Sequence, residues 1–157
     1  MEFRPITPAD LGDLLALNES FVPHVGTTDR ERLGWLVDHA CWARTTPGRD
    51  AFLIALPPGT DYWSPNYAWV AARWTRFAYI DRVAVAGHLH GTGVGRALYE
   101  ALFADLAAAG VDRVTCEVNT RPPNPGSIAF HHRMGFTRVG VRGDAKGTVA
   151  MMARRLP

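Results

Sequence analysis

Residues His88 to Leu102 read His-Leu-His-Gly-Thr-Gly-Val-Gly-Arg-Ala-Leu-Tyr-Glu-Ala-Leu, a spacing suited to holding an anion. Gly91, Gly93 and Gly95 stand at alternate positions, so the backbone can bend tightly and a ligand can approach peptide N–H groups with no Cβ in the way. The apolar series Val94, Ala97, Leu98, Ala101 and Leu102 predicts a helix that begins inside this loop. A helix start leaves N–H groups without intrahelical partners at the positive end of the dipole, and a phosphate is their natural guest. Two common phosphate loops are spaced differently. In the dinucleotide pattern Gly-x-Gly-x-x-Gly the third glycine would come one position later than Gly95, and the Gly-Lys-Ser/Thr ending of the ATP loop is missing.

A second informative segment is Asn124-Pro-Gly-Ser-Ile-Ala-Phe-His-His-Arg-Met-Gly-Phe136. Taken together, the two segments resemble the GCN5-related N-acetyltransferases (GNAT). That family binds the acetyl-CoA pyrophosphate with Arg/Gln-x-x-Gly-x-Gly/Ala after its fourth strand. The pattern here is His90-Gly-Thr-Gly93-Val-Gly95, with His90 where Arg or Gln is usual. The family's later segment is Asn-x-x-Ala-Ile-x-x-Tyr-x-x-x-Gly-Phe, in which Asn contacts the cofactor arm, Tyr protonates the departing thiolate and Gly-Phe closes the helix. Asn124, Gly135 and Phe136 match it; Ser127 replaces Ala, and His131 replaces Tyr. The resemblance covers essentially the whole chain. It implies a single α/β domain over 1–157, with a mixed, mostly antiparallel seven-stranded sheet and about four helices, splayed between strands 4 and 5. It also implies acetyl-CoA binding through Val83, Ala84 and Val85 on the strand, then His90, Gly91, Thr92, Gly93, Val94, Gly95 and Arg96 in the loop, with Asn119, Asn124 and Phe130 beside them.

Transfer of acetyl from a thioester requires a neutral amine, and an alkylamine with a pKa near 10.4 is neutral in only about one molecule in 2,500 at pH 7. That fraction corresponds to about 4.6 kcal/mol, so a group that receives the proton matters. Alternation places Tyr79, Asp81, Val83 and Val85 on one face of their strand, and Thr115, Glu117 and Asn119 on one face of the next. Carboxylates are expensive to bury there without partners or work, which makes Glu117 and Asp81 the base candidates. The competing reading pairs Asp81 with Arg82, Arg113 or another cation and leaves Glu117 a satisfied acceptor. His131 is the candidate acid, with a packed core histidine as its plainer reading. No histidine, cysteine or carboxylate spacing supports a metal. Tyr62, Trp63, Tyr67, Trp69, Trp74, Phe77 and Phe21 could line an acceptor pocket, although aromatics are more often core.

The elements that must position these groups follow from the order of the chain. With 157 residues, 47% hydrophobic, the chain has enough apolar material for one full core. Its 17 basic and 15 acidic side chains nearly balance, with no basic stripe for nucleic acid. Cys41 and Cys116 fall in strand-like segments without metal spacing, read as buried free thiols in a reducing cytoplasm. No apolar run spans a bilayer and no signal pattern opens the chain. The spacing predicts a strand at 2–6, then a helix capped by Thr7 with Pro8 at its first position. A second helix opens with a capping box at Thr28-Asp-Arg-Glu31. A hairpin of strands at 40–45 and 51–56 comes next, followed by a loop at 57–67 with a helical turn at 69–74. The strand 78–85, the glycine loop, a helix to Ala109, a strand 113–119, a helix 126–134 and two strands at 136–142 and 148–156 complete the order.

The expected activity is acetyl transfer to a primary amine, from a small molecule or a peptide, by direct transfer in a ternary complex. No cysteine–base pair is adjacent in sequence to argue for an acyl-enzyme. The rival class is a non-catalytic acyl-CoA-binding or regulatory domain, which the substitutions at His90 and His131 would suit. A homodimer stays open, and no membrane or nucleic-acid partner is expected.

Overall fold

The computed structural model describes residues 1–157. In chain order the strands are β1 (Arg4–Pro5), β2 (Trp42–Thr45), β3 (Ala51–Leu56), β4 (Ala78–Val85), β5 (Arg113–Arg121), β6 (Thr137–Asp144) and β7 (Gly147–Arg155). The helices are α1 (Leu11–Glu19), α2 (Arg30–His39), α3 (Pro65–Ala71), α4 (Val94–Ala108) and α5 (Pro125–Arg133), with short 3-10 turns at Pro8–Asp10 and Gly87–Leu89. The strands form one sheet in the order β1-β2-β3-β4-β5-β7-β6. Every neighbour is antiparallel except β4 and β5, which run parallel and pair only at Ala78↔Val114 and Tyr79↔Thr115. Beyond Tyr79 the two strands part. The expected mixed, splayed seven-stranded sheet is present, with five α-helices in place of about four.

Two apolar layers hold this sheet. On one face Leu98, Leu102, Phe103 and Leu106 of α4 pack on Ala78, Ile80, Val114, Cys116 and Val118. On the other, Leu11 and Leu14 of α1, Leu33 and Leu36 of α2, and Tyr67 and Val70 of α3 cover Phe52, Ile54, Leu56, Tyr79 and Met151. All six residues of β3 are buried, as a strand covered on both faces requires. Each such Leu, Ile or Phe contributes about 1.5–3 kcal/mol on burial, so the sheet is rigid where the splay begins. No helix is long and apolar enough to cross a membrane.

Four expectations need correction. The segment 57–74 holds a full helix from Pro65, because Ser64 accepts the Tyr67 N–H and Pro65 fits the first position, where no N–H is needed. Helix α2 is capped by Asp29 instead of Thr28, with Asp29 Oδ1 accepting the Arg32 N–H at 2.8 Å. Cys41 is exposed and precedes β2, leaving only Cys116 buried. The fourth correction bears on the site. Ile54 pairs with Arg82 and Ala55 with Ile80, so β4 carries one unpaired residue, Asp81. This bulge breaks the alternation. Val83 packs on the α4 side with Ile80, whereas Tyr79 and Ala84 face the α1–α3 side. Tyr79 and Asp81 therefore do not share a face with Val83 and Val85.

Candidate active site

The splay opens a cavity of about 240 Å³ between β4 and β5, bordered by Asp81, Val83, Val85, Glu117, Asn124 and His131. It runs into a larger one of about 630 Å³, in which Val83, Ala84, Val85, Asn124 and His131 recur beside Gly91, Gly93, Gly95, Arg96 and Phe130. Most of the candidate residues from the two sequence segments are thus brought to one continuous space. Thr92 and Val94 do not border it. The Thr92 hydroxyl bonds to Leu89 O, and the Val94 side chain is buried in the core. Asn119 is also elsewhere: its Nδ2 donates to Pro23 O at 2.9 Å, strapping the α1–α2 connection across the splay.

The glycine loop shows why these positions are glycine. Gly91 and Gly93 have φ of +76° and +87°, and a Cβ on either would meet nothing within 4 Å, so the requirement is backbone conformation and not crowding. Gly93 is the N-cap of α4, and the first ladder bond runs from Ala97 N–H to Gly93 O at 3.0 Å. The N–H groups of Val94, Gly95 and Arg96 precede that ladder and are free to bind an anion. The Arg96 guanidinium is turned to Glu100 at 2.8 Å. His90 bonds through Nε2 to Val85 O at 2.8 Å and stacks on Phe21, with centroids 6.0 Å apart. It ties loop to strand through the imidazole.

The two carboxylates differ sharply. Asp81 is paired with Arg82 at 2.8 Å and accepts the Tyr62 hydroxyl at 2.7 Å, with side-chain exposures of 4% for Asp81 and 9% for Arg82. The Arg82 guanidinium also donates to Asn18 Oδ1 and Gly26 O, anchoring the far end of the strap. Glu117 has no cation in contact; its two oxygens share the Tyr79 hydroxyl at 2.8 and 2.7 Å. Enclosure pushes the Glu117 carboxyl up to about 8, and the Asp81 charge acts in the same direction. The Tyr79 bond, the nearby Asn66 amide and the Arg82 charge oppose that rise without cancelling it. Burial likewise holds the Tyr79 phenol well above its ordinary range, so it stays a donor.

His131 is buried on α5. Its Nδ1 lies 2.7 Å from Ser127 O, an atom that only accepts, so Nδ1 carries the proton. In the neutral ring Nε2 then accepts from the Tyr99 hydroxyl at 2.7 Å. Burial depresses the His131 pKa, which keeps the ring neutral. Sequence reasoning did not single out Tyr99, because its position on the apolar stripe of α4 reads as core, and its partner lies 32 residues away. Phe130 wedges against Tyr99, centroids 5.1 Å apart, and against Gly95. Tyr79 was also missed as the partner of Glu117, whereas the competing reading of Asp81 as the partner of Arg82 matches the pair seen at 2.8 Å.

Residues 59–136 match the acetyltransferase (GNAT) family model. No curated protein sequence matches the chain. Among solved structures, Ard1 from Thermoplasma volcanium is similar at 18% identity, covering 99% of this chain and 97% of that one, with a TM-score of 0.78. Naa20 from Chaetomium thermophilum, crystallised with a bisubstrate analogue, is 21% identical over 99% and 87% of the two chains, also at 0.78. The ribosomal-protein-S18-alanine N-acetyltransferase from Escherichia coli is 19% identical over 99% and 93%, at 0.70. These three share the fold, and the matched region contains the glycine loop, the splay and the Asn124–Phe136 segment. The chain belongs to the GNAT family of acetyltransferases.

Proposed function

We propose that the protein is an acetyl-CoA-dependent N-acetyltransferase that acetylates a primary amine by direct transfer in a ternary complex. The observation that carries this reading is Glu117: an enclosed carboxyl with pKa about 8, at the splay, opening on the cavity that continues to the glycine loop. A base whose pKa lies near the working pH combines a useful ionised fraction with real proton affinity.

The residues present fit acetyl-CoA. The pre-ladder N–H groups of Val94, Gly95 and Arg96 suit its pyrophosphate, and Gly91 and Gly93 leave the approach clear. Beyond Tyr79 the β4 edge has no β5 partner, which leaves its backbone around Val83 for the pantetheine amides, while the Val85 carbonyl is taken by His90. Acetyl-CoA supplies an acyl group activated as a thioester. With acetyl-CoA bound, Glu117 would accept the proton that the amine nitrogen loses as it is acylated, and the thiolate released would take its proton from water. Tyr79 holds the carboxylate in place. His131, neutral and already bonded at both nitrogens, orients the Tyr99 hydroxyl at the cavity wall; an imidazolium acid runs against this geometry. Cys116 borders the cavity, but burial pushes its thiol well above the ordinary range, so a thiolate nucleophile is disfavoured.

The test is thiol release across an amine panel, with the acetylated product identified by mass. Wild-type protein releases thiol with at least one amine, and Cys116→Ala retains that turnover. Gly93→Glu, which puts an anion and a strained φ in the loop, weakens CoA binding by at least about tenfold, or about 1.4 kcal/mol. Thiol release absent with every amine, or Gly93→Glu binding CoA as wild type does, defeats the reading.

A further inference from the structure

We propose that the acceptor is a small diamine or polyamine, whose reacting amine enters the gap beside Glu117 while a second cationic group lies in a separate aromatic cleft. The inference deepens the reading above and rests on it. The cleft, about 520 Å³, lies between the start of α2 and the loop that precedes α3. It adjoins the catalytic cavity, because Arg82 borders both. Tyr62 in its wall donates at 2.7 Å to Asp81, which borders the catalytic cavity. Tyr62, Asp81 and Arg82 thus form the wall that the two spaces share, and a flexible molecule lying across it would place one end in each.

The wall is built for a cation. Trp35 and Tyr62 stack with centroids 5.7 Å apart, and Trp63 meets Tyr62 edge-on at 5.5 Å. Trp63 is 72% exposed, so its ring is open to a ligand in the cleft. Both arginines in the wall are already engaged. Arg82 is paired with Asp81 at 2.8 Å, and Arg32 lies 3.9 Å from Asp29 with its guanidinium 5.3 Å from the Trp63 centroid. Glu31 and Asp61 border the same cleft and form no ion pair or side-chain hydrogen bond. Aromatic faces beside unmatched acidic side chains attract an ammonium group, by about 0.5–2 kcal/mol for each cation–π contact. A neutral tail gains only burial against the rings, and an anionic one is repelled by Glu31 and Asp61.

The experiment compares diaminobutane and spermidine with butylamine and with a dipeptide amide of neutral side chains. The first readout is kcat/KM from thiol release. The second is a tryptophan-fluorescence titration of CoA-saturated Glu117→Gln protein, which reports binding without chemistry. Diaminobutane and spermidine should exceed butylamine by at least about tenfold in both readouts, and added salt should shrink the margin. Glu31→Gln combined with Asp61→Asn should reduce the diamine-to-butylamine preference by about tenfold, and Trp63→Ala should reduce it as well. Equal use of diaminobutane and butylamine, a preference for the neutral dipeptide, or an unchanged preference in the double variant overturns the proposal. Should no amine release thiol, the transferase reading fails, and the fluorescence titration still decides whether the cleft selects diamines.

Discussion

Two carboxylates, one beside the edge strand β1 and one on β5 at the splay, have opposite fates. Asp10, in the turn before α1, has a side chain only 1% exposed, yet five donors converge on it. Arg4 reaches both oxygens at 2.8 Å, Arg49 Nε lies at 2.6 Å, and Thr7 gives its backbone N–H and its hydroxyl. The Arg4 bond is the largest cause holding the Asp10 carboxyl far below its usual range. Glu117 receives one shared phenol, and its pKa rises to about 8. Burial penalises the charged form in both places; the supply of donors decides the outcome. The first carboxylate fastens β1 and the first turn to the β2–β3 connection. The second is left with proton affinity to use.

The largest expected effect tests whether Glu117 uses that affinity. Glu117→Gln keeps the shape and the Tyr79 contact and removes the proton acceptor, so kcat should fall by about 10² to 10⁴ with CoA affinity nearly intact. Wild-type kcat should rise with pH through about 8, since the ionised carboxylate is the active form. A variant that retains half the wild-type kcat across that range would put Glu117 in the same class as Asp10.

Asp10→Asn is the complementary break. It strands Arg4 and leaves Arg49 only its pairing with Asp13, and should lower the melting temperature by about 5 °C without changing kcat/KM. The two sites also tilt stability in opposite directions. Asp10 has a depressed folded-state pKa, so its contribution is present above the ordinary value of 3.8 and is lost as pH falls. Glu117 has a raised one. Between 4.5 and about 8 the folded state binds more protons than the unfolded state, so stability from this group declines as pH rises. Denaturant midpoints across pH should show the alkaline decline flattened in Glu117→Gln and the acid loss reduced in Asp10→Asn.

The sequence carries one side of this contrast better than the other. Gly91, Gly93 and Gly135 act through local backbone needs, and their spacing, with Asn124 before α5, already located the loop and α5. The caps were legible only in part: Thr28 and Asp29 are both good caps and the structure uses Asp29, and the Ser64 cap of α3 lay in a segment that read as loop. The bulge at Asp81 was not legible, because Tyr79 to Val85 alternates plausibly by itself and the extra residue is defined only against β3. The raised pKa of Glu117 comes first from its enclosure between strands distant in sequence, and the opposing bond comes from Tyr79, 38 residues away. Donor supply around a buried charge is a property of tertiary arrangement, so a carboxylate can be nominated from sequence while its role waits for the fold.

His131 and Tyr99 form a third, neutral case between those extremes, and they predict the smallest effect. Both nitrogens of His131 are matched, and Tyr99 gives its hydroxyl to Nε2 inside the layer between α4 and α5. Replacing one partner strands the other, at a cost of about 1–3 kcal/mol, whereas replacing both with apolar rings strands neither. His131→Phe and Tyr99→Phe should therefore each destabilise the protein by more than the Tyr99→Phe, His131→Phe double variant does. Denaturant unfolding of the four proteins measures that coupling. Because burial keeps His131 neutral, wild-type kcat should show no descending alkaline limb from this group, only the rise set by Glu117. Additive single-variant losses, together with a rate that falls above neutrality and recovers in His131→Tyr, would instead make His131 a working acid and break its likeness to the satisfied corner at Asp10.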